Sequence, residues 1–282
     1  MAFLLVAIAI YASTARAQPK VLLVVAHPDD EYYFAATTYR IARELGGTVD
    51  QVIITNGEAG FKYSALAEKY YSVELTQEAV GRARLPELRR QEALRAGEVL
   101  GIRQHYFLNE CDTKFTLDPK EALGGGWDAR SVRRHLRELM EHEQYDFIFT
   151  LLPRSETHGH HQAATILAVE TAAALGELQR PVVLAAEPGL GATAPVPFTG
   201  HDHTAVASAA PSFEFNRSRP FGFKNALNYN IVVNWMIAEH KSQGMFQNDS
   251  GKHDRERFWL FTENPAGALD RAGKLFSAVN QQ

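Results

Sequence analysis

Two short stretches of this 282-residue chain concentrate side chains that can bind a metal or move a proton. The first is His27-Pro28-Asp29-Asp30-Glu31, an imidazole followed within four positions by three carboxylates. Capping of a following helix by Asp29 or Asp30, with Glu31 in its electropositive first turn, explains part of it. It does not explain a histidine beside two adjacent aspartates. The second is His158-Gly159-His160-His161. His158 and His161 have the i, i+3 spacing that points side chains to one side of a starting helix, and Gly159 leaves room for close approach. Histidine and aspartate are ligands of zinc and of other divalent metals. Cys111 is the only cysteine, so a thiolate zinc site is excluded, as is an intrachain disulfide. Two His and one Asp would make a three-ligand site with an open position, leaving one Asp and one His for the roles of base and acid.

These residues need elements that bring them together. Residues 21–26 are an unbroken apolar run, the mark of a strand buried on both faces, and Pro28 ends it. Residues 145–152 form a second buried strand before Pro153 and the histidine cluster. Further strands are expected at 49–55, 105–108, 181–186 and 257–262. Helices are expected at 32–45, 86–100, 129–143, 162–175, 229–242 and 266–279, several closed by glycine. Residues 61–84 read as a partly helical excursion over the site, and 116–126 as loop. The alternation predicts an α/β, Rossmann-like doubly wound, mainly parallel sheet with helices on both faces. A C-terminal appendage is expected, irregular over 187–228 and holding short strands. In a parallel sheet, loops after successive strands emerge at one edge, so the two clusters can face each other across the crevice there. The 56–60 and 109–112 loops emerge at the same edge.

Residues 2–12 are apolar and uncharged, too short to span a bilayer, and are followed by a small-x-small ending at Ala15-Arg16-Ala17. This predicts a signal peptide at 1–17 cleaved after Ala17, a secreted or periplasmic protein, and one domain over 18–282. A net charge of −4 without a basic stripe excludes a nucleic-acid binder, and no later run is apolar enough for a transmembrane helix. No G-x-G-x-x-G follows the first strand, which disfavours a dinucleotide-dependent dehydrogenase.

Taken together, these residues resemble the LmbE/PIG-L family of zinc-dependent N-acetylglucosaminyl de-N-acetylases. Ala26 to Glu31 resembles the family's first motif, Thr55 to Gly60 its second-strand loop, and Arg89 to Ala93 its R-x-x-E helix. His158-Gly159-His160-His161 occupies its H-x-x-H position, and His240-Lys241-Ser242-Gln243 resembles a late H-x-S-Q element. The resemblance implies His27, Asp30 and His161 as ligands of one Zn2+ per chain, or of another divalent metal. It implies Asp29 as the general base on the attacking water, His158 as the residue that stabilises the tetrahedral intermediate and helps the amine leave, and Arg89 as a substrate-side residue. Many members carry Asp where this chain has His160, so hydrogen bonding around the ligands differs here. The implied substrate is an N-acetylated sugar or glycoconjugate, hydrolysed by a metal-dependent amidohydrolase in which a protonated His158 faces the oxyanion. Two other readings fit the same residues: a zinc amidohydrolase of another small N-acyl compound, and a carbohydrate-binding protein whose metal holds the fold.

Glu58 is a candidate substrate contact or a turn cap. Arg89 is also spaced to pair with Glu92. Tyr32, Tyr33, Phe34, Phe61, Tyr63, Tyr70 and Tyr71 lie near the expected site, where aromatic faces suit sugar rings, though for each one ordinary packing is the commoner use. His201-Asp202-His203 has ligand-like spacing on a stretch that reads as solvated loop.

Overall fold

The computed structural model describes residues 18–187, 205–208, 211–249 and 253–281. The expected signal peptide and His201-Asp202-His203 lie outside the described residues. Seven strands form one sheet: β1 (Lys20–Val25), β2 (Thr48–Thr55), β3 (Gln104–Glu110), β4 (Phe147–Leu151), β5 (Val182–Ala186), β6 (Phe213–Asn216) and β7 (Arg255–Leu260). Their order is β3-β2-β1-β4-β5-β7-β6. The first five are parallel and β7 and β6 run antiparallel to their neighbours. This is the expected doubly wound, mainly parallel α/β sheet. Residues 213–216 of the stretch expected as an appendage are part of the main sheet, as its edge strand.

The described residues form seven α-helices: α1 (Ala35–Tyr39), α2 (Ala65–Tyr71), α3 (Glu78–Leu100), α4 (Ala129–Glu143), α5 (Gly159–Ala173), α6 (Asn230–Ile237) and α7 (Ala268–Val279), of which α2 packs away from the sheet. Successive β1 residues alternate between two cores. Val21, Leu23 and Val25 pack with α3, α6 and α7, and Leu22, Val24 and Ala26 with α4 and α5. Apolar cover on both faces is why β1 reads as a continuous apolar run. Among the described residues, no helix is long and apolar enough to cross a membrane.

Three helices differ from expectation: the one expected at 229–242 ends at Ile237, and a 3₁₀ stretch follows from Lys241. α3 begins at Glu78 rather than at Pro86, so the proline is internal. Leu85 is buried with Phe61, Ala67 and Leu75, and Arg82 hydrogen-bonds the carbonyls of Asp112 and Thr113. These contacts hold the extra turns despite the carbonyl that Pro86 leaves without an N–H. The helix expected at 32–45 is broken into a 3₁₀ turn (Asp30–Phe34), α1, and a wider turn at Arg40–Glu44. The restart at α1 has a distant cause. Glu256 on β7 accepts the backbone N–H of Ala36 and Thr37, each at 2.8 Å, and pairs with Arg217 Nε at 2.8 Å. Glu256 and Arg217 are both nearly inaccessible. Glu256→Ala strands a buried guanidinium and two helix-start N–H groups, so it is expected to lower unfolding stability by about 3–5 kcal/mol. Urea denaturation measures this, and a loss under about 1 kcal/mol would show the pair to be dispensable.

Candidate active site

The order of strands reverses between β1 and β4, and the loops after these two neighbours carry the two clusters. Ligands in open α/β sheets bind at that reversal. β1 ends at Val25, and Asp29 takes φ 119°, a backbone region that costs a non-glycine residue energy. The three consecutive carboxylates then diverge. Asp30 Oδ2 turns back to accept the N–H of Ala26 and His27 at 3.0 and 2.8 Å. Asp29 instead meets Arg89 at 3.0 Å. Glu31 points into the core, where its carboxylate takes His240 Nε2 at 2.6 Å, Gln51 Nε2 at 3.2 Å and the Asp29 N–H at 3.1 Å. Neither aspartate caps the following turn as expected, because Asp30 is committed to the strand end and Asp29 makes no cap hydrogen bond.

On the facing loop His158 is the N-cap of α5, its Nδ1 accepting the His160 N–H at 3.0 Å. A Cβ on Gly159 would sit 2.6 Å from the Asp118 carbonyl oxygen, so the close approach expected there is real. His161 enters the site and His160 turns inward, fully buried against Trp127 at 5.0 Å between ring centres.

The sequence candidates His27, Asp30 and His161 meet. His27 Nδ1 is 3.1 Å from His161 Nε2, His161 Nε2 is 3.0 Å from Asp30 Oδ1, and His27 Nδ1 is 3.5 Å from Asp30 Oδ2. Donors on a tetrahedral zinc at 2.0–2.1 Å are separated by about 3.3 Å, so two imidazole nitrogens and a carboxylate at these spacings suit that ion. Burial alone would raise the Asp30 carboxyl, but His161 and His27 outweigh it and hold Asp30 well below the usual range. The same Asp30 carboxylate raises His161 against the opposing effect of burial.

These three residues, with Asp29, Arg89 and His158, line a cavity of about 500 Å³. Asp29 lies beside the triangle and outside it. Burial pushes its carboxyl up to about 7, opposed by Arg89. Burial, with the neighbouring His27, His161 and His160, pushes His158 down to about 2. Burial first, and then the three neighbouring imidazoles, disfavour the protonated His158 expected from sequence.

Arg89 is buried and bound to the carbonyls of Gly57 and Pro28 as well as to Asp29. Its alternative partner, Glu92, instead accepts from Tyr71 and Ser242. Glu58 is buried near the site but is not among the residues that line the cavity. Of the aromatics, Phe61 and Tyr63 line the cavity, as do Lys62, Glu78 and Arg82 from the 61–84 excursion. Tyr32 and Phe34 belong to the core.

Asp112 and Glu121 were not singled out by sequence reading. Asp112 follows β3 and lines the cavity, and Glu121 Oε2 lies 3.1 Å from His160 Nε2. The 109–112 loop was expected at this edge, but nothing local distinguishes Asp112 from Glu110. The late His240-Lys241-Ser242-Gln243 element also acquires contacts. His240 binds Glu31, Ser242 binds Glu92, and Gln243 donates to the Gly60 carbonyl at 3.2 Å and lines the cavity. A Cβ on Gly60 would lie 2.6 Å from Gln243 Oε1 and 2.9 Å from an Arg89 guanidinium nitrogen, so a larger residue there would displace both side chains.

Solved structures share this fold. N,N'-diacetylchitobiose deacetylase from Pyrococcus horikoshii aligns with 19% identity over 86% of this chain and 84% of its own, at a TM-score of 0.51. The 4-carboxy-2-hydroxymuconate hydratase GalB from Pseudomonas putida aligns with 18% identity over 86% and 95%, at 0.52. A deacetylase from the teicoplanin biosynthesis pathway aligns with 15% identity over 86% and 98%, at 0.55. At such identities the likeness is one of fold, and a hydratase among the three shows that the fold does not name the reaction. No curated protein matches the sequence. The PIG-L family, described as GlcNAc-PI de-N-acetylase, matches residues 22–173, more than half of the chain and both loops of the site. With the HPDDE and H-x-x-H residues brought to one cavity, the chain belongs to the PIG-L family of de-N-acetylases.

Proposed function

We propose that the chain is a metal-dependent amidohydrolase that removes the acetyl group from an N-acetylated sugar or glycoconjugate, with zinc the ion its donors suit. The observation that carries this reading is the His27–Asp30–His161 triangle beside Asp29, a carboxylate outside the triangle on a wall of the same cavity. The family's description and the deacetylases among the solved neighbours support the reaction class.

His27, Asp30 and His161 would hold the ion, which when bound supplies a Lewis acid for the amide carbonyl and acidifies water. Asp29 takes a proton from the attacking water as the carbon–oxygen bond forms. It returns that proton to the sugar nitrogen as the carbon–nitrogen bond breaks, leaving acetate and the free amine. A carboxyl near 7 suits both halves of this exchange. Arg89 fixes the direction of the Asp29 carboxylate through a buried ion pair and two carbonyl anchors. His158 acts as a neutral N–H donor to the developing oxyanion. Phe61 and Tyr63 offer apolar faces to the sugar ring.

Acetate release from a panel of N-acetylated sugars tests the reading. Zinc-loaded protein is expected to release acetate, chelator-stripped protein to release none, and added zinc to restore it. Saccharide binding without release by the loaded protein would identify a binding module instead.

A further inference from the structure

We propose that Asp112, His158 and His160, together with the far nitrogen of His27, form a second divalent-cation site beside the His27–Asp30–His161 triangle. It shares His27 with the metal centre proposed above and otherwise has its own donors.

The geometry repeats that of the first triangle. His27 Nε2 lies 3.4 Å from His160 Nδ1, His160 Nδ1 lies 3.4 Å from Asp112 Oδ1, and His27 Nε2 lies 3.9 Å from Asp112 Oδ1. The donor atoms of His27, Asp112, His158 and His160 all fall within 4.8 Å of one another. The two 3.4 Å spacings sit at the long limit of hydrogen bonding yet near the roughly 3.3 Å edge of a tetrahedral zinc site, and the longer ones need a small inward shift of the side chains to close on an ion. Asp112 is 4% exposed, and its Oδ1, aimed at His27 and His160, is buried without a hydrogen-bond partner. An orphaned buried carboxylate oxygen is costly, and a cation would satisfy it.

His160 is already oriented for such a role. Its Nε2 is engaged by Glu121 at 3.1 Å, which turns Nδ1 toward Asp112. A carboxylate on the remote nitrogen is how metal-binding histidines are usually held. His158 offers a fourth donor and lines the cavity, with Phe115 packed edge-on against its ring at 5.0 Å. Three imidazoles and one carboxylate favour zinc or copper over magnesium or calcium.

Binding order follows from the shared ring. With an ion on Nδ1, His27 reaches a second ion through Nε2 only by releasing the Nε2 proton to solvent. The second ion therefore binds more weakly than the first. Filling this site also occupies His158, so excess zinc inhibits the hydrolase.

Equilibrium dialysis of chelator-stripped protein against graded free zinc tests this. Wild type is expected to take up two equivalents, the second more weakly. Asp112→Asn and His160→Gln, each checked for folding by circular dichroism, are expected to weaken the second by at least about 10–100-fold while retaining the first. His161→Ala identifies the first equivalent by losing it. One equivalent in wild type, lost only in His161→Ala, overturns the second site and leaves the first. A second equivalent that survives both Asp112→Asn and His160→Gln is surface binding and also overturns it. No bound zinc in wild type removes both sites.

Discussion

Asp29→Asn is expected to lower acetate release by on the order of 10²–10⁴-fold at unchanged zinc content, the range ascribed to a positioned general base. The substitution keeps the shape of the side chain and removes its proton-accepting oxygen. The Asp29 carboxylate pairs with Arg89, and Asp30 of the triangle is separately anchored by the N–H groups of Ala26 and His27. The metal should therefore stay. The change leaves Arg89 without a counter-charge, although its two carbonyl contacts remain. Some loss of stability is expected, and a thermal melt distinguishes it from loss of the chemical step. Metal analysis and turnover on the same sample decide the matter. Full activity in Asp29→Asn would remove Asp29 from the reaction, and loss of zinc would move it into the ligand set.

His161→Ala is the complementary experiment. It is expected to abolish both tight zinc binding at the triangle and hydrolysis, because only His27 and Asp30 would remain there. The side chain is mostly buried against Asp30 and His27, so the change also leaves Asp30 without its strongest opposing charge. If the first equivalent of zinc is retained with unaltered affinity, His161 is not a ligand. The pair of variants separates two failures. Asp29→Asn should hold metal without turning over, whereas His161→Ala should hold none at the triangle.

Much of this arrangement is legible in the sequence because it is local. His27, Asp29 and Asp30 follow an apolar strand, and His158 and His161 follow another. Parallel topology alone brings such loops to one edge. The burial of both faces that makes β1 and β4 central is also what makes them uniformly apolar. Residue chemistry alone does not separate the three carboxylates; only the family resemblance gave Asp29 and Asp30 different roles. Asp29, Asp30 and Glu31 are chemically near-equivalent in a row. They part because Asp29 adopts a positive φ and because Arg89, His161 and His240 approach from separate elements. The last of these lies 209 residues further along the chain.

Boundaries show the same division. The charged stripe at 129–143 gave α4 at the expected residues, since its amphipathic period and the Asp128 cap are encoded within the segment. α3 overran its expected start because Leu85 and Arg82 gain partners from the 61–75 segment and the 109–113 loop. The helix after Glu31 broke because Glu256, on the distant strand β7, supplies a new start.

By itself, then, the sequence determined the strand–helix alternation, the two loops that carry the clustered His and Asp residues, and the edge on which they meet. Hydrophobic period, turn residues and donor chemistry are properties of short segments. Tertiary structure alone decided which carboxylate faces Arg89 and which faces His161. It also decided that His160 is clasped by Glu121 and that Asp112 is left with an orphan oxygen pointing at His27. The physical reason is that a buried charge takes its protonation state and direction from whatever the fold packs against it, and those partners are remote in the chain.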